Sequence, residues 1–276
     1  MHDYILCFTN RGRVYWLKVW EVPQGSRSSR GKPIVNMFPL QPGEKVNVVL
    51  PLNDGFRSFP ADHYVFMATA QGTVKKTALD EFSNPRKAGI IAVDLDEGDF
   101  LIGAALTDGR HDVMLFSDGG KAVRFAEDDV RPMGRAARGV RGMMLDDGQS
   151  VIAMLVAEDE SQSVLTATEN GYGKRTSIVE YTRHGRGTKG MIAIQQSERN
   201  GKVVAATLVR PDDEIMLITD KGVLVRTRVA EIRELGRATQ GVTLIALDAG
   251  TQLIGLQRIV ENDAAGEAGD APEETP

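Results

Sequence analysis

The sequence predicts an all-β chain, five copies of a four-stranded unit arranged as propeller blades. Three observations lead there. A turn glycine recurs at Gly12, Gly72, Gly120, Gly171 and Gly222, with spacings of 60, 48, 51 and 51 residues. Each follows an apolar run: "YILCFTNRG", "YVFMATAQG", "VMLFSDGG", "VLTATENG", "IMLITDKG". A second glycine comes 17 to 19 residues later, at Gly31, Gly89, Gly139, Gly190 and Gly241, and two further strand-like runs follow it. Four-strand repeats of ~40 to 50 residues are the mark of propeller blades, and a blade needs neighbours to cover its faces.

Within one unit, each element has its own justification. The first strand is apolar on both faces, as a strand covered by neighbours is. Turns such as "TDKG", "TENG" and "SDGG" supply Asp, Asn and Gly where positive φ is required. The second strand alternates, with Val223, Val225 and Thr227 opposite Leu224, Arg226 and Arg228 in the last copy. After the second glycine come a third strand ("KPIVNMFPL", "IIAVDL", "VRGMML", "MIAIQQ", "VTLIAL") and a fourth ("KVNVVLPL", "FLIGAAL", "SVIAMLV", "KVVAATLV", "QLIGLQRI"). Helical signal is confined to stretches such as "TALDEF" and "RVAEI", enough for a turn. The repeats fall at about 3–52, 63–107, 111–157, 163–209 and 213–260, in one domain over residues 1–260.

Residues 261–276 form a different segment, with six acids, no base, and no aromatic or branched aliphatic side chain, so disorder is expected. Without those acids the net charge of −5 becomes +1 over residues 1–260. The tail reads equally as a solubilising end or as a polyanion mimic competing for a basic surface. The apolar runs are too short for a membrane helix, and no secretory signal is visible. One cysteine, Cys7, allows no internal disulfide and suits a reducing cytoplasm.

Cations recur at matched positions. The third and fourth residues after the turn glycine are Tyr15-Trp16, Lys75-Lys76, Val123-Arg124, Lys174-Arg175 and Val225-Arg226. Before the second glycine, Arg27, Arg135, Arg186 and Arg237 stand four positions upstream, and Arg30, Arg138 and Lys189 one position upstream. The second repeat departs from this pattern, but Arg86 and Lys87 lie beside the vacant places. A solvated surface mixes signs. One sign at equal angular steps suits a regularly spaced polyanion, a nucleic-acid backbone, and nearby glycines let backbone N–H groups approach phosphates. Exposed aromatics for stacking on single strands are few, so duplex DNA is the expected ligand.

"GRGTKG" at 185–190 is followed by a strand where a dinucleotide site needs a helix, and "GYGKRT" has Arg175 where a P-loop needs Ser or Thr. The four histidines lack ligand spacing, and no catalytic triad or carboxylate pair recurs, so no active site, metal or cofactor is expected in this chain.

The segments "FMATAQGTVKKT", "TATENGYGKRT", "ITDKGVLVRTRVAEI" and "RATQGV" resemble blade motifs of the C-terminal domain of the A subunit of bacterial DNA gyrase, a similarity running over residues 3 to 260. The resemblance implies a β-pinwheel, a propeller variant whose blades exchange strands, and a role in bending DNA around a basic rim. Lys75, Lys76, Arg124, Lys174, Arg175, Arg226, Arg228 and the loop cations would belong to that rim. It also implies work beside the rest of the gyrase A subunit and with the gyrase B subunit in a heterotetramer, with ATP and magnesium used elsewhere. The family's Q-R-R-G-G-x-G box is absent from this sequence, and five of the usual six blades are seen. The topoisomerase IV relative is therefore an alternative, and a protein-interaction propeller is a second class, although that class should show Trp-Asp marks that are missing here.

Overall fold

The computed structural model describes residues 3–26, 29–53 and 58–259. The first repeat provides β1 (Tyr4–Thr9), β2 (Arg13–Lys18) and β3 (Val46–Leu52), and the second provides β4 (Tyr64–Thr69), β5 (Thr73–Ala78), β6 (Ile90–Ile91) and β7 (Leu101–Thr107). The third has β8 (Asp112–Ser117), β9 (Lys121–Ala126), β10 (Val140–Arg141) and β11 (Val151–Ala157). The fourth has β12 (Ser163–Thr168), β13 (Tyr172–Ser177), β14 (Met191–Ile192) and β15 (Val203–Val209), and the fifth β16 (Glu214–Thr219), β17 (Leu224–Arg228), β18 (Val242–Thr243) and β19 (Leu253–Ile259). The longest helical element among the described residues is a 3-10 turn at Leu79–Phe82. The tail at 261–276 lies outside the described residues.

The opening turn is built the same way five times. A Thr or Ser carbonyl accepts from the glycine N–H at 3.0 Å (Thr9, Thr69, Ser117, Thr168, Thr219), and the glycine takes φ between +73° and +86°. This closes each hairpin of first and second strands in antiparallel register.

Strand order in the sheets is β3-β1-β2-β6, β10-β5-β4-β7, β11-β8-β9-β14, β15-β12-β13-β18 and β17-β16-β19. The two-residue strand of each of the second to fifth repeats therefore leaves its own repeat and completes the sheet before it, pairing Ile90 with Val14, Val140 with Val74, Met191 with Ala122 and Val242 with Gly173. This is the exchanged-strand arrangement of a pinwheel. The long last strands β3, β7, β11, β15 and β19 pack against one another in succession. They are the innermost strands, which leaves the exchanged strands and the loops leading to them on the outer edge. Four apolar clusters fill the spaces between successive sheets; in the first, Leu6, Phe8 and Val14 meet Val65, Met67, Leu79 and Phe82.

The third strand is much shorter than the sequence implies. After two paired residues, successive N–H groups turn onto a single carbonyl, that of the preceding repeat's turn glycine. Ala92 and Val93 donate to Gly12 at 2.8 and 3.2 Å, Leu244 and Ile245 to Gly171 at 2.8 and 3.2 Å, and the two joints between do the same. That bend ends the strand. In the first repeat the corresponding segment forms a 3-10 turn at Ile34–Asn36, and Met37, Phe38 and Leu40 cover Cys7, Tyr15 and Leu17. Cys7 is buried there, and desolvation pushes its thiol up to about 11, as suits an inert core residue.

The bend sets a steric test. A Cβ on Gly171 would stand 2.5 Å from the Ile245 carbonyl oxygen, whereas one on Gly222, at a similar φ, would meet nothing within 4 Å. Gly222→Ala should cost about 1–2 kcal/mol for the left-handed backbone alone. Gly171→Ala should cost roughly 1–3 kcal/mol more, because the exchanged strand must shift. Urea denaturation of the two variants measures the difference; equal losses would contradict the role given to the joint.

Candidate nucleic-acid interface

Five of the six cations at the third and fourth positions lie inside the joints. Lys75 and Lys174 are 0% exposed and Lys76 2%. Lys75 Nζ donates to the carbonyls of Ala92, at 2.7 Å, and Arg135. Lys174 Nζ donates to the carbonyls of Gly236, at 2.6 Å, and Arg237, and to Thr239 Oγ1 at 3.2 Å. Lys76 Nζ reaches the Glu127 carbonyl at 3.3 Å and lies 5.0 Å from the Tyr64 ring centroid. Arg124 donates to the carbonyls of Ile178 and Tyr181 at 3.1 and 3.2 Å, and pairs with Asp112, at 2.8 Å, and with Glu160. Arg175 Nε donates to the Ile232 carbonyl at 2.7 Å. Even Trp16, at the same fourth position, donates its indole N–H to the Phe82 carbonyl at 2.9 Å.

These contacts correct the expectation that Lys75, Lys76, Arg124, Lys174 and Arg175 line a phosphate-facing rim. Apart from Ala92, the backbone acceptors belong to the 3-10 turn or loop leading to the next repeat's exchanged strand, and a cation taken out of water needs such acceptors. The fifth repeat has no such turn beside it. There Arg226 pairs with Glu214 on the neighbouring strand and stays exposed, and Arg228 is 74% exposed with Nε 3.9 Å from Glu214.

The loop cations sit at the outer edge. Arg30, Arg86, Lys87, Arg138, Arg186 and Lys189 are exposed, and Arg135 and Arg237 half-buried; Arg27 lies outside the described residues. Arg135, Arg186 and Arg237 make the same bond in successive joints: Nη1 donates to the carbonyls of Ile91 at 3.1 Å, Arg141 at 3.1 Å and Ile192 at 2.6 Å. Each loop thus rests on the exchanged strand of the repeat before it, and the loops form one continuous row. The row is not of one sign. Arg138 bonds Asp94 and Asp96 at 3.0 and 2.8 Å, and Lys189 bonds Asp146 at 2.8 Å. The hydrogen bond from Lys189, helped by Lys121, holds the Asp146 carboxyl below the usual carboxylate range.

Four exposed arginines outside the matched positions lie in or beside the same loops: Arg131, Arg141, Arg183 and Arg233. Aligning "RPMGRAARG" with "RELGRATQG" puts Arg131 and Arg233 in register, eight positions before the second glycine, and that alignment could have found them. The structure also brings His111 to Asp108 and Glu127, with Nδ1 at 2.8 and 3.9 Å. Glu127 is already engaged by the Thr107 hydroxyl and the N–H groups of Gly109 and His111.

Comparison with known proteins follows the same repeat boundaries. The family model described as DNA gyrase C-terminal domain, beta-propeller, matches residues 3–53, 63–108, 111–158, 162–210 and 213–259. The A subunit of DNA gyrase from Klebsiella oxytoca is 54% identical over 260 residues, covering 94% of this chain and 29% of that protein. Its counterpart from Escherichia coli K12 is 51% identical with the same coverage. The chain therefore spans less than a third of the length of these relatives. Among solved structures, the C-terminal domain of DNA topoisomerase IV superposes with a TM-score of 0.85 at 26% identity, covering 93% of this chain and 79% of that one. A DNA gyrase A C-terminal domain superposes at 0.80 and 26%, covering 94% and 83%.

Burial pushes the ammonium groups of Lys75 and Lys174 down to about 8, against the opposing pull of Glu81 and Asp94 on the first and Glu180 on the second. Between pH 8 and the ordinary lysine value near 10.5, the unfolded chain holds protons that the folded chain has released. Folding stability should therefore rise with pH across that window. Denaturation midpoints of the parent chain and of Lys75→Met/Lys174→Met, compared at pH 8 and pH 10, should show the parent gaining on the variant. A parent that loses ground as pH rises would contradict the assignment.

Proposed function

The chain belongs to the DNA gyrase C-terminal domain family, and on that premise we propose that it binds duplex DNA along its outer edge and bends it, without reading its sequence. The observation that supports this is the row of cationic loops, one per joint, linked by the repeated Arg135, Arg186 and Arg237 bonds. Exposed guanidinium and ammonium groups on adjoining loops can follow a phosphate backbone, and phosphate contacts position a duplex without specifying it. Bending a 20–30 base-pair stretch by 40–90° costs roughly 1–6 kcal/mol, which several such contacts offset.

The acids in the row shape the binding. Asp94, Asp96 and Asp146 hold Arg138 and Lys189 when no DNA is present, and an incoming phosphate exchanges places with these exposed carboxylates at modest cost. In the whole enzyme this module would present bent DNA to the remainder of the gyrase A subunit, in a heterotetramer with the gyrase B subunit. ATP hydrolysis, magnesium and strand passage would reside elsewhere and drive negative supercoiling. The working compartment would be the bacterial cytoplasm, at the nucleoid.

Arg186→Ala/Lys189→Ala should weaken binding to all plain duplexes alike. It should also lower the slope of log affinity against log salt by about 1.8, at ~0.9 per phosphate contact. Fluorescence anisotropy across a salt series with two unrelated duplexes reads both quantities. An unchanged slope, or a loss confined to one sequence, would overturn the reading.

A further inference from the structure

The buried lysines recur unevenly, and what accompanies them is informative. Lys75 is followed six residues later by Glu81, and Lys174 six residues later by Glu180. Each pair grips the backbone of one residue of the following repeat from both sides. Glu81 Oε2 accepts the Arg135 backbone N–H at 3.1 Å while Lys75 donates to the Arg135 carbonyl. Glu180 Oε2 accepts the Arg237 backbone N–H at 2.7 Å while Lys174 donates to the Arg237 and Gly236 carbonyls. The clamped residue is in both cases the arginine whose side chain lies on the outer edge.

The joint between them differs. Val123 stands where the lysine would be and Asp129, one methylene shorter, where the glutamate would be. A cleft of about 370 Å³, lined in part by Val123, Thr188, Lys189 and Gly190, opens beside that loop. Arg186 there is held through its side chain, by the carbonyls of Asp129 and Arg141 at 3.1 Å each. The first and fifth repeats have Glu21 and Glu231 at the glutamate position with Tyr15 and Val225 at the lysine position, so the complete pair is found only in the second and fourth repeats.

We propose that Lys75 with Glu81, and Lys174 with Glu180, are positioning residues for DNA binding, which fix the loops bearing Arg135 and Arg237 in the shape that meets the duplex. This rests on the DNA-binding function proposed above. The lysines touch no phosphate; they act through the arginines.

The test is plain-duplex affinity of the full chain in a mutant cycle, with amide hydrogen exchange of residues 131–138 and 233–240. Lys75→Met/Lys174→Met should lower affinity roughly tenfold, as loss of two charge-assisted contacts does. It should lower it no further in an Arg135→Gln/Arg237→Gln background, because both changes remove one interaction. Additive losses would mean the lysines contact DNA themselves and would overturn the proposal.

Glu81→Ala/Glu180→Ala covers the case in which the lysine variants fail to fold, since both glutamates are exposed. Removing two acids should strengthen DNA binding by simple electrostatics. The clamp requires the opposite, weaker binding with faster exchange in both loops, and a gain in affinity would sink it. Conversely, Val123→Lys/Asp129→Glu should raise affinity and slow exchange in residues 183–190; no change in either would count against the clamp. If Arg135→Gln/Arg237→Gln binds like the parent chain while Arg186→Ala/Lys189→Ala loses affinity, these lysines position nothing that DNA uses. If both bind like the parent, the DNA-binding reading itself fails.

Discussion

The structure depends on one kind of contact, a side-chain N–H donor in one repeat held by backbone carbonyls of the next. A sheet of three strands cannot finish its outer edge, and a two-residue strand is too short to hold itself there. The donor at the fourth position after the turn glycine supplies what is missing: Trp16, Lys76, Arg124 and Arg175 each bond a carbonyl in or at the end of a 3-10 turn of the following repeat. The residue type changes from indole to ammonium to guanidinium, but the N–H donor persists. The carbonyls of Glu127 and Ile178 also close their own 3-10 turns, so the donor fixes such a turn against the blade before it, at a net worth of about 0.5–1.5 kcal/mol per bond and more for a charged donor.

The same contact explains how much of the molecule is legible from sequence. The blades are visible because their turns are local: a Thr or Ser and, three residues on, a glycine at positive φ close every hairpin. The exchanged strands are visible only as apolar runs, because their length is set by a carbonyl in another repeat. The cations stand out as a pattern, and the pattern points to the wrong surface. Adjacent residues of a strand point to opposite faces, so Lys75 and Lys76, or Lys174 and Arg175, cannot both face one ligand. That periodicity argues against a rim on the sequence alone. What sequence does not show is where each side chain ends, since a lysine aimed at carbonyls has the same spelling as one in water.

The loop cations fare better for a physical reason. A glycine-rich loop at the end of an exchanged strand has nowhere to go but the outer edge, so an arginine placed there stays near solvent whatever its partners. The acids opposite them are hidden from the repeat pattern, because Asp94, Asp96 and Asp146 belong to the loops that follow the short strands, distant in sequence from Arg138 and Lys189. Their presence means the edge is neutralised until a stronger anion arrives, so a net charge near zero over residues 1–260 and a surface suited to DNA are compatible.

Since every joint seats its exchanged strand on the preceding turn glycine in the same way, the path of the loops follows from the rotation between successive sheets. On the DNA-binding reading proposed above, a loop clamped at its arginine, as at Arg135 and Arg237, would have little freedom to adapt to a duplex, and bound DNA would have to take the curvature that the joints impose. The loop at Arg186 lacks that clamp and is held instead by backbone hydrogen bonds, from His184 to the Arg124 carbonyl at 2.8 Å and from Gly187 to the Gly142 carbonyl at 2.6 Å, beside the contacts of its arginine side chain. The last sheet has three strands among the described residues: Gly222 meets no described neighbour, and Val223 and Leu224 are 51% and 60% exposed at the edge where the other sheets hold an exchanged strand. Gly31, which stands where the other repeats place the glycine before that strand, likewise meets no neighbour. The segment that follows it folds over Cys7, Tyr15 and Leu17 of the same repeat instead, so four joints are described in the chain. Its repeating unit is better defined as the contact between blades than as the blade, because the blade without that contact is a sheet with an unfinished edge.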